Sequence, residues 1–201
     1  MLRQALADID VSVLGAVRRN NSLALPERHL GLVQAAEIEA IEDFINHAAA
    51  QISQECDLHA LIQCFQPVQA PKGQAGNKAR EMVPPPGQNI AIARDQAFAF
   101  LYSHQIIDWR ASGATISYFS PLADETPHPE ADAVYLPGGY PELHGQTLAR
   151  AGHFRQSLVQ AAARGVKIYG ECGGFMVLGQ SIADRRGVSF PMVGLLGLET
   201  S

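Results

Sequence analysis

Short apolar runs alternate with stretches of helical periodicity through the second half of the chain. The runs at 90–93, 115–119, 131–136 and 166–169 have the length and composition of buried strands. Helical spacing between and after them predicts helices at 97–111 and 144–164 and from about residue 175. This alternation predicts the α/β class, a parallel sheet flanked by helices on both faces.

The first third of the chain follows a different pattern. An apolar run at 11–17 predicts one buried strand, and helical spacing predicts helices at 35–52 and 56–64. A block of residues 1–66 with a single strand is small for an independent α/β unit. We therefore expect it to be the C-terminal part of a larger domain.

Proline and glycine separate the two patterns. Residues 67–76 contain four of them, and three prolines stand in a row at 84–86. Consecutive prolines exclude a helix and favour an extended conformation. We predict an interdomain linker at 67–88, which leaves 89–201 as the second domain. A long ordered loop is the alternative.

Composition narrows the class of protein. With 47% hydrophobic and 17% charged residues, the chain is not a disordered tail or a coiled coil. A net charge of −5, with no run of Lys or Arg longer than two, argues against nucleic acid or an anionic membrane as partner. No apolar run approaches the ~20 residues of a membrane span, and the N-terminal residues do not resemble a signal peptide.

The cysteines indicate a reducing compartment. Three cysteines are an odd number, and none of them forms a C-x-x-C pair. We expect neither a disulfide framework nor a cysteine-built zinc site, and we expect no metal ligands in this chain. A cytoplasmic location follows from this pattern.

Cys172 is the strongest candidate for chemistry. It follows the strand at 166–169 and precedes a helix, within the string Gly-Glu-Cys-Gly-Gly. A nucleophile on a tight strand-to-helix turn needs small neighbours, and the helix N-terminus favours a thiolate. The Gly173 N–H is placed to donate to a developing oxyanion. The alternative is a buried cysteine packed beneath a glycine-rich loop.

A second glycine turn ends the strand at 131–136. The string Leu136-Pro137-Gly138-Gly139-Tyr140 leaves bare N–H groups at the edge of the sheet nearest the Cys172 turn, although taken alone it is more typical of an ordinary strand-to-helix turn. Together the two turns predict attack of a thiolate on an amide carbonyl, with loss of ammonia. Such a reaction needs a base. All seven histidines precede Cys172, and none of them is assigned that role.

These strings carry a resemblance to a known family. Residues 136–142 (LPGGYPE) and 169–176 (YGECGGFM) resemble the glutaminase part of the cobyrinic/hydrogenobyrinic acid a,c-diamide synthases. An earlier string, PERHLGL, resembles a late segment of that family's ATP-using domain. Further strings that match lie at 94–100, 119–124 and 191–196.

The resemblance implies a two-domain ligase of cobalamin biosynthesis. Its N-terminal domain would resemble dethiobiotin synthetase and use ATP and Mg²⁺ to activate the a and c acetate side chains of a corrin substrate. Its C-terminal domain would resemble class I glutamine amidotransferases and supply ammonia from glutamine. Cys172 matches the nucleophile, and Gly139 and Gly173 match the positions whose backbone lines the oxyanion hole. A homodimer is left open, as is the presence of cobalt in the corrin.

Two parts of the family pattern are missing from this sequence. There is no phosphate loop of the form G-x-x-x-x-G-K-[ST], so no residue is assigned to bind nucleotide. The family's catalytic histidine lies well after the cysteine, whereas the chain ends 29 residues after Cys172. We therefore expect a chain that is truncated at both ends and inactive alone. A non-catalytic fragment, a stand-alone cysteine hydrolase of the glutaminase-like fold, and the related cobyric acid synthases are the alternatives.

Overall fold

The computed structural model describes residues 2–26, 33–65 and 83–201. Contacts group the chain into two units, residues 1–77 and 78–201. Most of the predicted linker, 67–82, lies outside the described residues, so the domain boundaries stay a prediction. Within the described residues, no helix is both long enough and apolar enough to cross a membrane.

The first unit is built of helices. Asp57 caps the N-terminus of the third by accepting a hydrogen bond from the Ala60 N–H at 2.9 Å. Acidic Glu42 and Asp43 lie in the first turn of the second, where they complement the helix dipole. The helices are α1 (Leu2–Ala7), α2 (Ile41–Glu55) and α3 (Leu58–Gln63), with 3₁₀ turns at Asn21–Leu23 and Ala35–Glu37.

The predicted strand at 11–17 is wrong. This segment is irregular and has a single bridge, between Gly15 and Cys56. The side chains of Val11, Val13 and Val17 are 46%, 36% and 55% exposed. An apolar run becomes a buried strand only when other strands pair with it, and the described part of this unit contains none. The PERHLGL string lies outside the described residues from its second position on.

A four-stranded parallel sheet forms the centre of the second unit. Its strand order is β2-β1-β3-β4. Ile90 on β1 lies between Ile116 on β2 and Ala133 on β3, and Leu136 on β3 lies opposite Gly170 on β4. The predicted parallel sheet is confirmed. The strands are β1 (Asn89–Ala93), β2 (Thr115–Phe119), β3 (Ala133–Leu136) and β4 (Lys167–Gly170).

Helices cover both faces of this sheet, and the alternation of side chains along the strands explains why. Ala91 and Leu136 face one apolar cluster, which includes residues of α5, α6 and α7. Ile90 and Tyr135 face the other cluster, to which α4 contributes Ile106 and Trp109. The helices are α4 (Ser103–Ala111), α5 (Gly145–Arg150), α6 (Gly152–Ala163) and α7 (Gly173–Val177).

Three predicted helices differ from the observed ones. The helix predicted at 35–52 is observed at Ile41–Glu55, after a separate 3₁₀ turn at Ala35–Glu37. The helix predicted at 97–111 begins only at Ser103, because the Phe100 N–H donates instead to the Gly138 carbonyl at 3.0 Å. The helix predicted at 144–164 is interrupted at Ala151, where ψ is 74°. The latter segment therefore becomes α5 and α6, preceded by a 3₁₀ turn at Pro141–His144.

A small second sheet follows α7 and was not predicted. Its strand order is β6-β5-β7, with one antiparallel and one parallel pair. Ile182 and Met192 join the same apolar cluster that α5 and α6 cover. Two or three residues are too few to show a strand period. These strands are β5 (Ser181–Ala183), β6 (Ser189–Pro191) and β7 (Glu199–Thr200).

Candidate active site

The two glycine turns meet at the carboxyl edge of the sheet. β3 and β4 are paired neighbours, so the turns that follow Leu136 and Gly170 emerge side by side. A Cβ added to Gly138 would lie 3.2 Å from the Cβ of Cys172. The structure therefore places Cys172 directly beside the Pro-Gly-Gly turn, as the sequence predicted.

Cys172 adopts a backbone conformation that non-glycine residues rarely take. Its φ is 48° and its ψ is −118°, immediately before α7. Such a conformation costs about 1–3 kcal/mol and persists only where neighbouring contacts enforce it. The Met176 N–H donates to the Cys172 carbonyl at 3.1 Å. The Cys172 side chain is exposed, which is the arrangement of a nucleophile elbow and not of a buried cysteine beneath a loop.

Gly139 and Gly173 lie against each other. A Cβ on Gly173 would come within 2.8 Å of the Gly139 carbonyl oxygen, and a Cβ on Gly139 would collide with the carbonyl of Ala97. Both positions therefore require glycine. Within the described residues, neither glycine N–H donates to a backbone or side-chain acceptor. Their assignment to the oxyanion hole stays a prediction.

Asp95 stabilises the loop that packs against Gly139. Its carboxylate accepts hydrogen bonds from the Ser120 hydroxyl and the N–H groups of Leu122 and Ala97, each at 2.9 Å. These bonds fix the loop after β1, whose Ala97 carbonyl packs against Gly139. The sequence string at 94–100 contained this residue, but nothing in the string alone indicated its structural role.

Aromatic rings line the site on the side of the Pro-Gly-Gly turn. Phe100 and Tyr140 make an edge-to-face contact with centroids 5.3 Å apart. The Phe100 ring also lies 3.2 Å from the position of a Gly138 Cβ, the same distance as Cys172. An apolar wall thus stands next to the candidate nucleophile, where it would shield a bound side chain from water.

Glu171 is a charged residue beside the nucleophile whose role the sequence did not indicate. The Tyr135 hydroxyl donates to Glu171 Oε1 at 2.7 Å, and the Tyr169 hydroxyl donates to Oε2 at 3.3 Å. Burial raises the pKa of Tyr135 well above its usual range, and the hydrogen bond to Glu171 raises it further. Partial desolvation, then Glu171, also raises the pKa of Tyr169.

Among the residues that the structure describes, no histidine is identified as a base for Cys172. The His153 Nδ1 pairs with Asp124 Oδ2 at 2.7 Å, and His59 hydrogen-bonds to Gln63 within α3. His144 ends the turn after Pro141. These positions support none of the three as base. Within the described residues, no group of three or more His, Cys, Asp or Glu side chains could hold a metal ion.

Comparison with known proteins bears on this arrangement. Residues 89–201, more than half of the chain, match the model of the CobB/CobQ-like glutamine amidotransferase domain. The chain belongs to this family. The CobB/CobQ-like match covers the four-stranded sheet, both glycine turns and the small second sheet.

The sequence similarity between this CobB/CobQ-like chain and its relatives extends over the whole length of the chain. It is 53% identical over 201 residues to a hydrogenobyrinate a,c-diamide synthase of Brucella anthropi and covers 45% of that protein. Proteins of the same name from Rhizobium meliloti and Rhodobacter capsulatus are 50% and 46% identical, also over the whole chain. The chain thus spans about half the length of the curated relatives it matches.

A search of solved structures found a more distant likeness. A peptidase E protein from Listeria monocytogenes EGD-e is 16% identical, with a TM-score of 0.43. The match covers 55% of this chain and 64% of that one. A similarity this low supports no argument about the site.

Proposed function

We propose that the second unit releases ammonia from glutamine, with Cys172 as the nucleophile. The observation that carries the proposal is the exposed Cys172 in its strained turn, beside Gly139 and Gly173, whose N–H groups have no hydrogen-bond partner among the described residues. A thiol held in this way, beside two backbone donors, fits acyl transfer from an amide. The match to the CobB/CobQ-like glutamine amidotransferase domain supports glutamine as the amide.

The proposed reaction has two stages. The Cys172 thiolate attacks the side-chain amide carbon of glutamine, and the two N–H groups stabilise the tetrahedral oxyanion. Ammonia then leaves, and water hydrolyses the resulting thioester to glutamate and free thiol. One oxyanion donor is typically worth about 10²–10³ in kcat. A general base and acid must also move protons, and we assign that role to none of the described residues.

The acceptor of the ammonia is part of the proposal. Relatives over the whole chain are named hydrogenobyrinate a,c-diamide synthase. We infer that the ammonia amidates the a and c acetate side chains of a cobyrinic or hydrogenobyrinic acid, in a cytoplasmic step of cobalamin biosynthesis. Glutamine and the corrin acid would then be its small-molecule partners.

ATP and Mg²⁺ would activate those carboxylates, but neither the sequence nor the described residues fit a binding site for ATP or for Mg²⁺. The sequence has no phosphate loop, and the described residues offer no cluster of metal ligands. ATP cleavage would convert a carboxylate into a group that ammonia can displace. Use of ATP and Mg²⁺ remains a proposal for the complete protein.

The test is a Cys172→Ser variant of the complete gene product. We expect it to lose amidation of the corrin acid with glutamine as nitrogen donor, while amidation with added ammonium salt continues at the wild-type rate. The reason is that only the first reaction needs the thiol. Product formation can be followed by mass spectrometry. Unchanged glutamine-dependent activity, or loss of both activities, would contradict the proposed role of Cys172.

A further inference from the structure

The Glu171 carboxylate is bound from both strands that end at the site. Tyr135, on β3, donates to one oxygen at 2.7 Å, and Tyr169, on β4, donates to the other at 3.3 Å. The two tyrosine rings are stacked with their centroids 5.6 Å apart and an angle of 27° between their planes. The carboxylate therefore has little freedom to move relative to either strand.

The main chain of Glu171 is bound at the same place. Its N–H donates to the Leu136 carbonyl at 3.1 Å, and its carbonyl accepts from the Gly174 N–H at 2.8 Å. Glu171 is therefore tied to β3 through its backbone and its side chain. The next residue is Cys172, with its φ of 48°. A strained residue keeps its conformation only when contacts around it over-determine its position.

Tyr135 is a rigid anchor for this carboxylate. Its side chain is fully buried, and Trp109 of α4 meets it edge to face at 5.6 Å. The raised pKa of its hydroxyl, caused first by burial, keeps that hydroxyl protonated and able to donate across neutral and alkaline pH. The Tyr135 hydroxyl thus remains a donor in the pH range where a thiol enzyme is assayed.

We propose that Glu171 is a positioning residue for Cys172, and that the hydrogen bonds from Tyr135 and Tyr169 hold the Glu171–Cys172 backbone in its strained conformation. Glu171 acts here through its hydrogen-bonding geometry and not through its charge. The inference rests on the proposed role of Cys172 as the nucleophile that attacks glutamine.

Three variants of the complete gene product separate geometry from charge. Glu171→Ala removes the acceptor, and a misplaced reacting group can lower kcat by about 100-fold. Tyr135→Phe removes the shorter hydrogen bond but keeps the charge, and we expect a loss of the same kind. Glu171→Gln keeps an acceptor oxygen without the charge, so we expect its kcat to remain within about fivefold of wild type. Tyr118→Phe, on the outer strand β2, is the matched control and should not change the rate.

The measurements are ammonia release from glutamine and the rate at which a glutamine-like electrophile modifies Cys172 over a series of pH values. In Glu171→Ala and Tyr135→Phe, we expect a lower kcat with little change in KM for glutamine. The limiting rate of modification should fall, while the midpoint of its pH profile stays in place. A general loss of fold would instead lower ammonia-dependent amidation and the melting temperature as well.

Two results would overturn the inference. If Glu171→Gln is as slow as Glu171→Ala, the charge of Glu171 is required. If Tyr135→Phe has wild-type rates, the hydrogen bond from Tyr135 is not required. The second result decides the matter even if Glu171→Ala fails to fold. Failure of the proposed function has a different signature: the wild-type protein would not be modified at Cys172, and Cys172→Ser would still release ammonia.

Discussion

A single methyl group at Gly173 should damage the candidate oxyanion hole. In Gly173→Ala the new Cβ would lie 2.6 Å from the Pro141 Cδ, 2.8 Å from the Gly139 oxygen and 3.1 Å from the Gly139 carbonyl carbon. These are backbone and ring atoms, which cannot rotate away as a flexible side chain would. The clash therefore forces the segment containing Gly139 away from α7, and separates the two N–H groups proposed to hold the oxyanion.

The expected magnitudes follow from this clash. Overpacking of this kind typically costs about 1–3 kcal/mol of unfolding free energy. In a domain of 150–250 residues, each kcal/mol lowers the melting temperature by about 2–4 °C. Loss of one oxyanion donor should lower kcat for glutamine hydrolysis by about 10²–10³. Amidation with added ammonia should keep its rate, since it does not use the thiol.

The assay compares Gly173→Ala with Gly152→Ala in the complete gene product. A Cβ on Gly152, at the start of α6, would meet nothing within 4 Å. That control should be neutral or more stable by up to about 1 kcal/mol, and its ammonia release should match wild type. Calorimetry and coupled ammonia detection give both quantities. A Gly173→Ala protein with wild-type kcat and melting temperature would refute the reasoning.

Two further predictions concern the thiols and acid stability. A glutamine-like electrophile should modify Cys172 before Cys56 and Cys64, whereas a general thiol reagent should also modify Cys64, which is exposed. Equal modification of all three cysteines by the glutamine analogue, measured by mass mapping, would contradict the assignment of Cys172 as the nucleophile. The hydrogen bond from the Phe154 N–H lowers the pKa of Asp124 below its ordinary 3.8. The stability that ionised Asp124 contributes is therefore complete above pH 3.8, and it is lost as the pH falls through the lower pKa that Asp124 has in the folded state. Asp124→Asn should therefore show a weaker fall in melting temperature over that range, and an identical acid profile would count against this assignment.

The sequence predicted the elements that depend on local patterns. The strand at 115–119 has the predicted bounds, because the residues of its apolar run pair along their whole length with β1. The two glycine turns were also found, since a strand followed by consecutive glycines is a local signal. Their approach to each other followed from the rule that parallel strands end at one edge.

The elements that the sequence missed depend on partners distant along the chain. The residues before Ser103 looked helical, but Asp95 takes the Ala97 N–H and Gly138 takes the Phe100 N–H. Likewise, Glu171 gains its role from Tyr135, which lies 36 positions earlier. No periodicity within a window of a few residues contains such a contact. The strand prediction at 11–17 was wrong for the opposite reason, because the described part of its unit contains no strand that could pair with this apolar run.

The pairing of β3 with β4 also determines when the candidate site can form during folding. Gly139 and Cys172 are separated by α5, α6, β4 and their connections, so a long stretch of chain must close into a loop before they meet. Closing such a loop costs entropy that local helix formation does not. A refolding intermediate with formed helices but an unpaired β4 would have an ordinary thiol at position 172. Selective reactivity of that thiol would then report, in a time-resolved labelling experiment, the moment at which the fourth strand joins the sheet.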